Sequence, residues 1–281
     1  MKSGREHIAD PVCQIATRMR ALGIAVSILE EDAARLSLPH ELVTTVPTRE
    51  ALFSTCDVVA AIGGDGTIFH AASDAMFYDK PVLGINAGRL GFLAQIEADE
   101  LSSLSELAEG RYTIEERLVL QAELHRADGS VSTVYAANDI VFSRPDFGRV
   151  FDIEVCCGSD LVGVYRADGI IFATPTGSTA YSLSAGGPIA DPTVDCMIMT
   201  PLASHSLVSR SIVFSGDQVL SAHSPDSGTD AFYLVADGKT FDAVAQDDVV
   251  TIRKASYKTR FVCLQGRSFY HILNEKMKRR G

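Results

Sequence analysis

Between Arg166 and Pro188 the chain sets out an Asp-Gly turn, an apolar strand, a Pro-Thr-Gly turn, a run of hydroxyls and a Gly-Gly-Pro break. Ser178, Thr179, Tyr181, Ser182 and Ser184 crowd hydroxyl groups into a stretch that carries no charge. A core strand would hold fewer donors, and a surface loop would hold more charge. The mixture predicts the wall of a neutral, concave site that reads a polar organic ligand through hydrogen bonds and one aromatic face.

Gly63-Gly64-Asp65-Gly66-Thr67 offers a different chemistry. It follows an apolar strand and precedes a helical run from Ile68 to Met76. Glycines at such a turn let the backbone approach a phosphate closely, and the helix that follows presents unpaired N–H groups and a positive dipole end. Asp65 adds a carboxylate at the C-terminal edge of a parallel sheet, where α/β proteins hold ligands. No Gly-Lys-Ser/Thr ending makes this a Walker loop, and the spacing is not that of a dinucleotide fingerprint. The plainer alternative is a tight strand-to-helix turn with Asp65 as its N-cap. A second glycine-rich loop, Gly84 to Phe92, follows the next strand; two such loops after neighbouring strands point to a shared crevice.

These residues need a scaffold, and the pattern supplies two. Val12, Ile15, Ala16, Met19 and Leu22 recur at helical spacing, with Gly23 as a C′ residue. Strands are expected over Ile24–Leu29, Asp57–Ile62 and Pro81–Ile85, separated by helical stretches, which predicts an α/β domain with a parallel sheet over residues 1–96. A short helix is expected over Glu100–Glu109. From Leu118 strand and turn signals take over. Asp128-Gly129, Gly158-Ser159-Asp160 and Asp237-Gly238 each read as a hairpin turn, so residues 97–265 are expected to form a mainly antiparallel, β-rich C-terminal domain. Residues 266–281 read as a helical segment that packs back on the first domain.

At 281 residues, with 46% hydrophobic and 22% charged side chains, the chain has the make-up of a folded globular protein. A net charge of −11 repels nucleic acid and anionic membranes. The polar start lacks a secretory h-region, and no apolar run reaches the roughly 18 residues of a membrane span. A cytoplasmic protein is expected. The cysteines lack C-x-x-C spacing and the histidines are scattered, so structural thiols and no protein-built metal site are expected.

Gly63 to Thr67, the Gly84–Phe92 loop, Asn138-Asp139 and Thr174 to Pro188 together resemble the NAD kinase family, from about Asp57 to Ser211 and more weakly to Lys239. Lipid kinases and phosphofructokinases carry similar Gly-Gly-Asp-Gly-Thr runs; the Pro-Thr-Gly-Ser-Thr-Ala-Tyr segment separates the NAD kinases from them. The resemblance implies transfer of the γ-phosphoryl group of ATP to the 2′-hydroxyl of the adenosine ribose of NAD, with Mg²⁺ or another divalent cation arriving on the ATP phosphates. It implies that Asp65 orients or deprotonates that hydroxyl, and that Gly63, Gly64, Gly66 and Thr67 sit against phosphate. Asn138 and Asp139 would hold adenosine or ribose. Asp168, Thr176, Thr179, Ala180, Tyr181, Ser182, Leu183 and Ser184 would line the rest of the NAD site, Tyr181 against a base. Arg149 and Arg166 would meet phosphates or a neighbouring subunit of a homodimer or homotetramer. Each has a plainer alternative: a turn aspartate at Asp168, a half-buried ring at Tyr181, solvated arginines. His205 reads as a packed histidine and Lys239 as an exposed hairpin residue.

Two departures from the family stand out. Members usually carry Asn-Glu where this chain has Asn138-Asp139, one methylene shorter, so ribose contact requires a closer ligand or a bridging water. Members also usually begin with an apolar strand, whereas Met1 to Pro11 shows no strand pattern. Two rivals remain at this point: a lipid or sugar kinase sharing the glycine turn, and a non-catalytic NAD(P)-binding regulator.

Overall fold

The chain folds into two units. The computed structural model describes residues 6–87, 91–97, 100–143, 151–206, 209–225, 232–264 and 268–280. Arg149, and Gly88 to Leu90 of the second glycine loop, lie outside the described residues. The units divide between Glu116 and Arg117 and again between Lys258 and Thr259. The sequence pattern changes at about residue 96 and again at about 265. Both observed boundaries instead fall inside long strands, β6 and β17, which run on from one unit into the other.

The first unit begins with α1 (Glu6–Ala21), which buries Ile15, Ala16 and Met19. Gly23 takes a left-handed φ of 79°, and the Ile24 N–H turns back to the Met19 carbonyl at 3.0 Å. Closing the helix end consumes Ile24, so the expected strand from Ile24 shortens to β1 (Ser27–Leu29). After α2 (Glu30–Leu36), β1 pairs in parallel with β2 (Thr44–Val46) as a separate two-stranded sheet. Next comes α3 (Arg49–Thr55), whose N-cap Thr48 accepts the Ala51 N–H at 3.1 Å.

The main sheet of this unit is parallel. In it β3 (Val59–Gly63) leads through α4 (Asp65–Ala75) to β4 (Val82–Asn86), with Val59 opposite Val82 and Gly63 opposite Asn86. Every residue of β4 is buried, as its unbroken apolar run requires. The far edge of β4 is shared: Val82 pairs with Phe261, and Gly84 to Asn86 pair with β5 (Ala94–Glu97). Among the described residues β3 pairs with β4 alone, and the polar start contributes α1 rather than an edge strand. The unit closes through α5 (Leu104–Ala108) into β6 (Thr113–His125).

Beyond β6 the second unit is built from antiparallel strands. These are β7 (Val131–Ala136), β8 (Asp139–Ser143), β9 (Phe151–Cys157), β10 (Asp160–Ala167) and β11 (Gly169–Ala173), a short α6 (Tyr181–Ser184), then β12 (Cys196–Leu202), β13 (Ile212–Ser215), β14 (Leu220–His223), β15 (Phe232–Ala236), β16 (Lys239–Val244) and β17 (Val249–Cys263). One sheet runs β13-β12-β11-β8-β15-β16; in the other, β10, β9, β14 and β17 are joined by β6 and β7. The hairpin turns expected at Asp128-Gly129, Gly158-Ser159-Asp160 and Asp237-Gly238 join β6 to β7, β9 to β10 and β15 to β16. Period-two alternation sends Ile140 and Phe142 of β8 to the core shared by the two sheets and Val141 to the opposite face, where Ile171, Ile198 and Ala185 cover it. The chain ends in α7 (Phe269–Arg280), part of the first unit.

Phe142 is fully buried, with its ring edge-on to Phe172 at 5.6 Å and to Phe232 at 5.2 Å. Phe142→Ala should cost about 3–5 kcal/mol, read as a lower urea midpoint with an unchanged slope. A loss below about 1 kcal/mol would show that this ring cluster does not hold the sandwich together.

Candidate active site

In the first unit, β3 delivers the chain into the glycine turn. A Cβ at Gly63 would fall 2.7 Å from the Thr67 hydroxyl, so the protein's own packing requires glycine there. Gly64 and Gly66 differ: a Cβ on either would meet nothing within 4 Å. The space that their missing side chains leave is open to a ligand. Gly64 is the N-cap of α4, and the Thr67 and Ile68 N–H groups close onto its carbonyl at 2.9 and 3.2 Å. The N–H groups of Asp65 and Gly66, in the first turn, have no intrahelical acceptor.

Asp65 is the first helical residue rather than the cap. Its carboxylate reaches the second glycine loop, where Oδ2 accepts the Phe92 N–H at 2.9 Å and Oδ1 accepts the Leu93 N–H at 3.1 Å. A Cβ at Gly91 would fall 1.9 Å from Oδ1, so glycine at 91 is what admits the carboxylate. Asn86, at the end of β4, donates to Glu97 at 2.6 Å and stiffens the far side of that loop. Lys276 of α7 also approaches, with Nζ 3.3 Å from Oδ2. Sequence reading missed Lys276, which lies 211 residues from Asp65 and carries no local signal.

The second unit holds a cavity of about 360 Å³. Asn138, Asp139, Ala180 and Tyr181, all named from the sequence, line it together with Val141, Ser143, Val235, Asp237 and Gly238. Asp237 was read only as a hairpin residue, yet it organises this wall. It stands at φ 48°, and its carboxylate accepts three successive N–H groups: Ala137 at 2.9 Å, Asn138 at 2.8 Å and Asp139 at 3.1 Å. Its own N–H donates to the Asp139 carbonyl at 3.0 Å. Aspartate tolerates the left-handed conformation in an Asp-Gly hairpin, which was the available sequence signal.

Asp139 is only 5% exposed and faces the cavity. Burial first, and the neighbouring Asp237 charge second, push its carboxyl up from 3.8 to about 7. It therefore titrates near neutrality, able to donate a hydrogen bond when protonated and only to accept when ionised.

The hydroxyl-rich segment behaves differently from its first appearance in the sequence. Thr174 donates to the Ala137 carbonyl at 2.7 Å and accepts the Gly177 N–H at 2.9 Å. Ser178 donates to Pro175 at 2.6 Å and accepts the Ala190 N–H at 3.0 Å. Thr179 donates to Thr176 at 3.2 Å, and buried Ser182 meets Thr200 at 3.1 Å. These hydroxyls hold the loop in shape. Gly177 is pressed so close that a Cβ would fall 2.0 Å from the Asn138 carbonyl, which joins the segment to the Asn138-Asp139 wall. What the segment presents to the cavity is Ala180 and the half-exposed Tyr181 ring. The Thr176 hydroxyl is buried with no described partner. Leu183 and Ser184 follow in α6, outside the cavity wall. Arg166 is exposed, with Nε 4.0 Å from Asp152, and Asp168 is an exposed residue between β10 and β11. His205 is exposed and bonds the Arg166 carbonyl through its backbone N–H at 2.9 Å; Lys239 is exposed at the start of β16. Among the described residues no three His, Cys, Asp or Glu side chains cluster as metal ligands, and no helix is long and apolar enough to cross a membrane.

Comparison with known proteins now bears on this geometry. The family model for the ATP-NAD kinase N-terminal domain matches residues 16–112, and that for the ATP-NAD kinase C-terminal domain matches residues 137–264. An NAD kinase of Natranaerobius thermophilus is 38% identical over 275 residues, covering 95% of this chain and 94% of its own. An NAD kinase of Symbiobacterium thermophilum is 40% identical over 265 residues, covering 94% and 92%. Among solved structures, yeast NADH kinase complexed with NADH shares the fold at a TM-score of 0.85 and 24% identity, covering 96% of this chain and 83% of that one. An NAD kinase from Archaeoglobus fulgidus in complex with ATP gives a TM-score of 0.68 at 25% identity, covering 89% and 92%. Both family models match, and relatives align along nearly the whole chain: it belongs to the ATP-NAD kinase family.

Proposed function

We propose that this chain is an NAD kinase, moving the γ-phosphoryl group of ATP onto the 2′-hydroxyl of the adenosine ribose of NAD. The observation that carries the reading is Asp65, a carboxylate fixed by two backbone N–H groups beside the open faces of Gly64 and Gly66. Family membership supplies the reaction, since the relatives that align along this chain are NAD kinases.

Phosphoryl transfer asks a protein mainly for positioning and for offsetting charge. The first-turn N–H groups and dipole of α4, an eleven-residue helix, suit phosphate oxygens at the glycine turn. Asp65 suits the acceptor hydroxyl: it would receive that hydrogen bond and, as the phosphorus–oxygen bond forms, the proton. In the second unit, the Asn138-Asp139 wall and the Tyr181 ring suit a nucleoside. Asp237 fixes the backbone beneath the shorter Asp139 side chain. A divalent cation fits best as cargo of the triphosphate, because the described residues form no three-ligand cage and Mg²⁺ characteristically binds through phosphates and few carboxylates. It would offset charge on the phosphate oxygens. The cytoplasmic location expected from the composition and the homo-oligomeric state that the resemblance implies belong to the same proposal.

Three outcomes test this reading. The chain mixed with Mg²⁺, ATP and NAD should form NADP, followed by a dehydrogenase-coupled assay; no product above a protein-free control, at high enzyme concentration, would remove the activity. Asp65→Asn should lower kcat roughly 10²–10⁴-fold while calorimetric NAD affinity changes little, and near-normal turnover would take Asp65 out of the chemistry. Asp139 gives a pH signature. Its folded-state value of about 7 lies above the ordinary 3.8, so its stabilising share is complete below about pH 4 and is lost as pH rises to about 7. Asp139→Asn should therefore match the ligand-free wild type near pH 4 and exceed it above pH 7 by up to about 4 kcal/mol. Parallel melting-temperature profiles would contradict the raised value.

A further inference from the structure

We propose that Lys276 is a positioning residue for Asp65, brought to it by the C-terminal helix. The proposal rests on the phosphoryl-transfer reading above and adds a group to its machinery. Phe269, Ile272 and Lys276 follow one another at helical spacing and share one face of α7. Ile272 is buried on that face, and the Phe269 ring lies 6.0 Å from the Phe92 ring. One turn on from Ile272, the Lys276 ammonium sits 3.7 Å from the centre of the same Phe92 ring and 3.3 Å from Asp65 Oδ2. Its side chain is 22% exposed, and its ammonium meets both a ring face and a carboxylate.

Phe92 is therefore used twice. Its N–H fixes Oδ2 from the loop side, and its ring seats the ammonium that approaches the same oxygen from the helix side. The two backbone donors set the plane of the carboxylate along the loop, and the third donor limits how it can tilt. The need for such a clamp follows from charge. A carboxylate that must work beside a triphosphate meets like-charge repulsion, which favours rotation away from the reacting oxygen. An ammonium at Oδ2 offsets that repulsion and leaves Oδ1, bound to one N–H at 3.1 Å, able to accept the substrate hydroxyl. The contact at 3.3 Å is longer than the roughly 2.7–2.9 Å of a tight charge-assisted bond, so Lys276 adds to the backbone grip and does not replace it.

Lys276→Met keeps the length and apolar stem of the side chain and removes the charge; Lys276→Arg keeps the charge; Lys278→Met, a lysine whose partner is Glu275 on the same helix, controls for effects on α7 itself. Lys276→Met should lower kcat by up to about 100-fold with little change in KM for ATP or NAD. Lys276→Arg should recover most of the turnover, and Lys278→Met should match the wild type. Hydrogen exchange at the Phe92 and Leu93 amides should rise up to about 5-fold in Lys276→Met and stay near wild type in the other two. Unchanged kcat in Lys276→Met overturns the proposal. A rise in KM for ATP at constant kcat does so too, because it makes Lys276 a phosphate-binding group. Equal losses in Lys278→Met would assign the effect to helix folding. If the wild-type chain forms no NADP, the functional reading fails while the exchange data still decide the clamp: faster exchange in Lys276→Met alone upholds it, and no change removes it.

Discussion

Asp65 accepts the N–H groups of Phe92 and Leu93, and this pair of bonds is what turns two separate strand exits into one chemical feature. Each partner depends on a different local choice. Gly63 lets β3 turn tightly enough to start α4, and Gly91 leaves the volume that the carboxylate enters. An alanine at either place would meet atoms well inside van der Waals contact. The second unit uses the same device: Asp237 takes three successive N–H groups of the chain entering β8. Carboxylates gripping main-chain donors are shorter and stronger contacts than neutral pairs, and they hold loops without a large apolar core.

This division of labour explains why the hydroxyl-rich segment looks like a ligand-reading surface and acts mainly as a frame. Ser178 and Ser182 are fully buried, and their hydroxyls end on protein groups. A buried loop must satisfy its own donors and acceptors, and short hydroxyl side chains do so at little entropic cost. The frame then exposes the uncharged surface of Ala180 and the Tyr181 ring, next to a carboxyl that burial keeps near its titration point. The cavity thus combines an uncharged side, Ala180 and Tyr181, with a side that carries the Asp139 and Asp237 carboxyls.

Much of the fold was legible because apolar runs and glycine turns are local signals. The all-buried β4, the helix after the glycine turn and the three hairpins follow from residues within a few positions of one another. The unit boundaries were not legible, since they lie within β6 and β17, single strands that carry no turn where one unit passes into the other. The shortened first strand reflects a helix end that captured Ile24. Within the site, Asp65 announces itself through its glycine context, whereas Asn138-Asp139 is found only through the resemblance to the family. Asp237 shows only as a turn, because its three N–H partners lie roughly a hundred residues upstream. Lys276 shows as one of several basic residues near the end of an exposed-looking helix.

The discontinuity of the first unit has a bearing on how the protein is made. Residues 117–258 form a continuous stretch and can close into the β unit as soon as they leave the ribosome, whereas residues 1–116 wait for 259–281. Val82 lacks its neighbour Phe261, and Phe92 its cover from Phe269, until that late segment is synthesised. Without that segment the glycine turn sits beside an unfinished sheet edge, with exposed apolar surface and with Asp65 held by its two backbone donors but not by Lys276. A chain that stops before residue 259 would leave the α/β unit without Phe261 beside Val82 and without Phe269 beside Phe92, exposing apolar surface that chaperones and proteases can recognise.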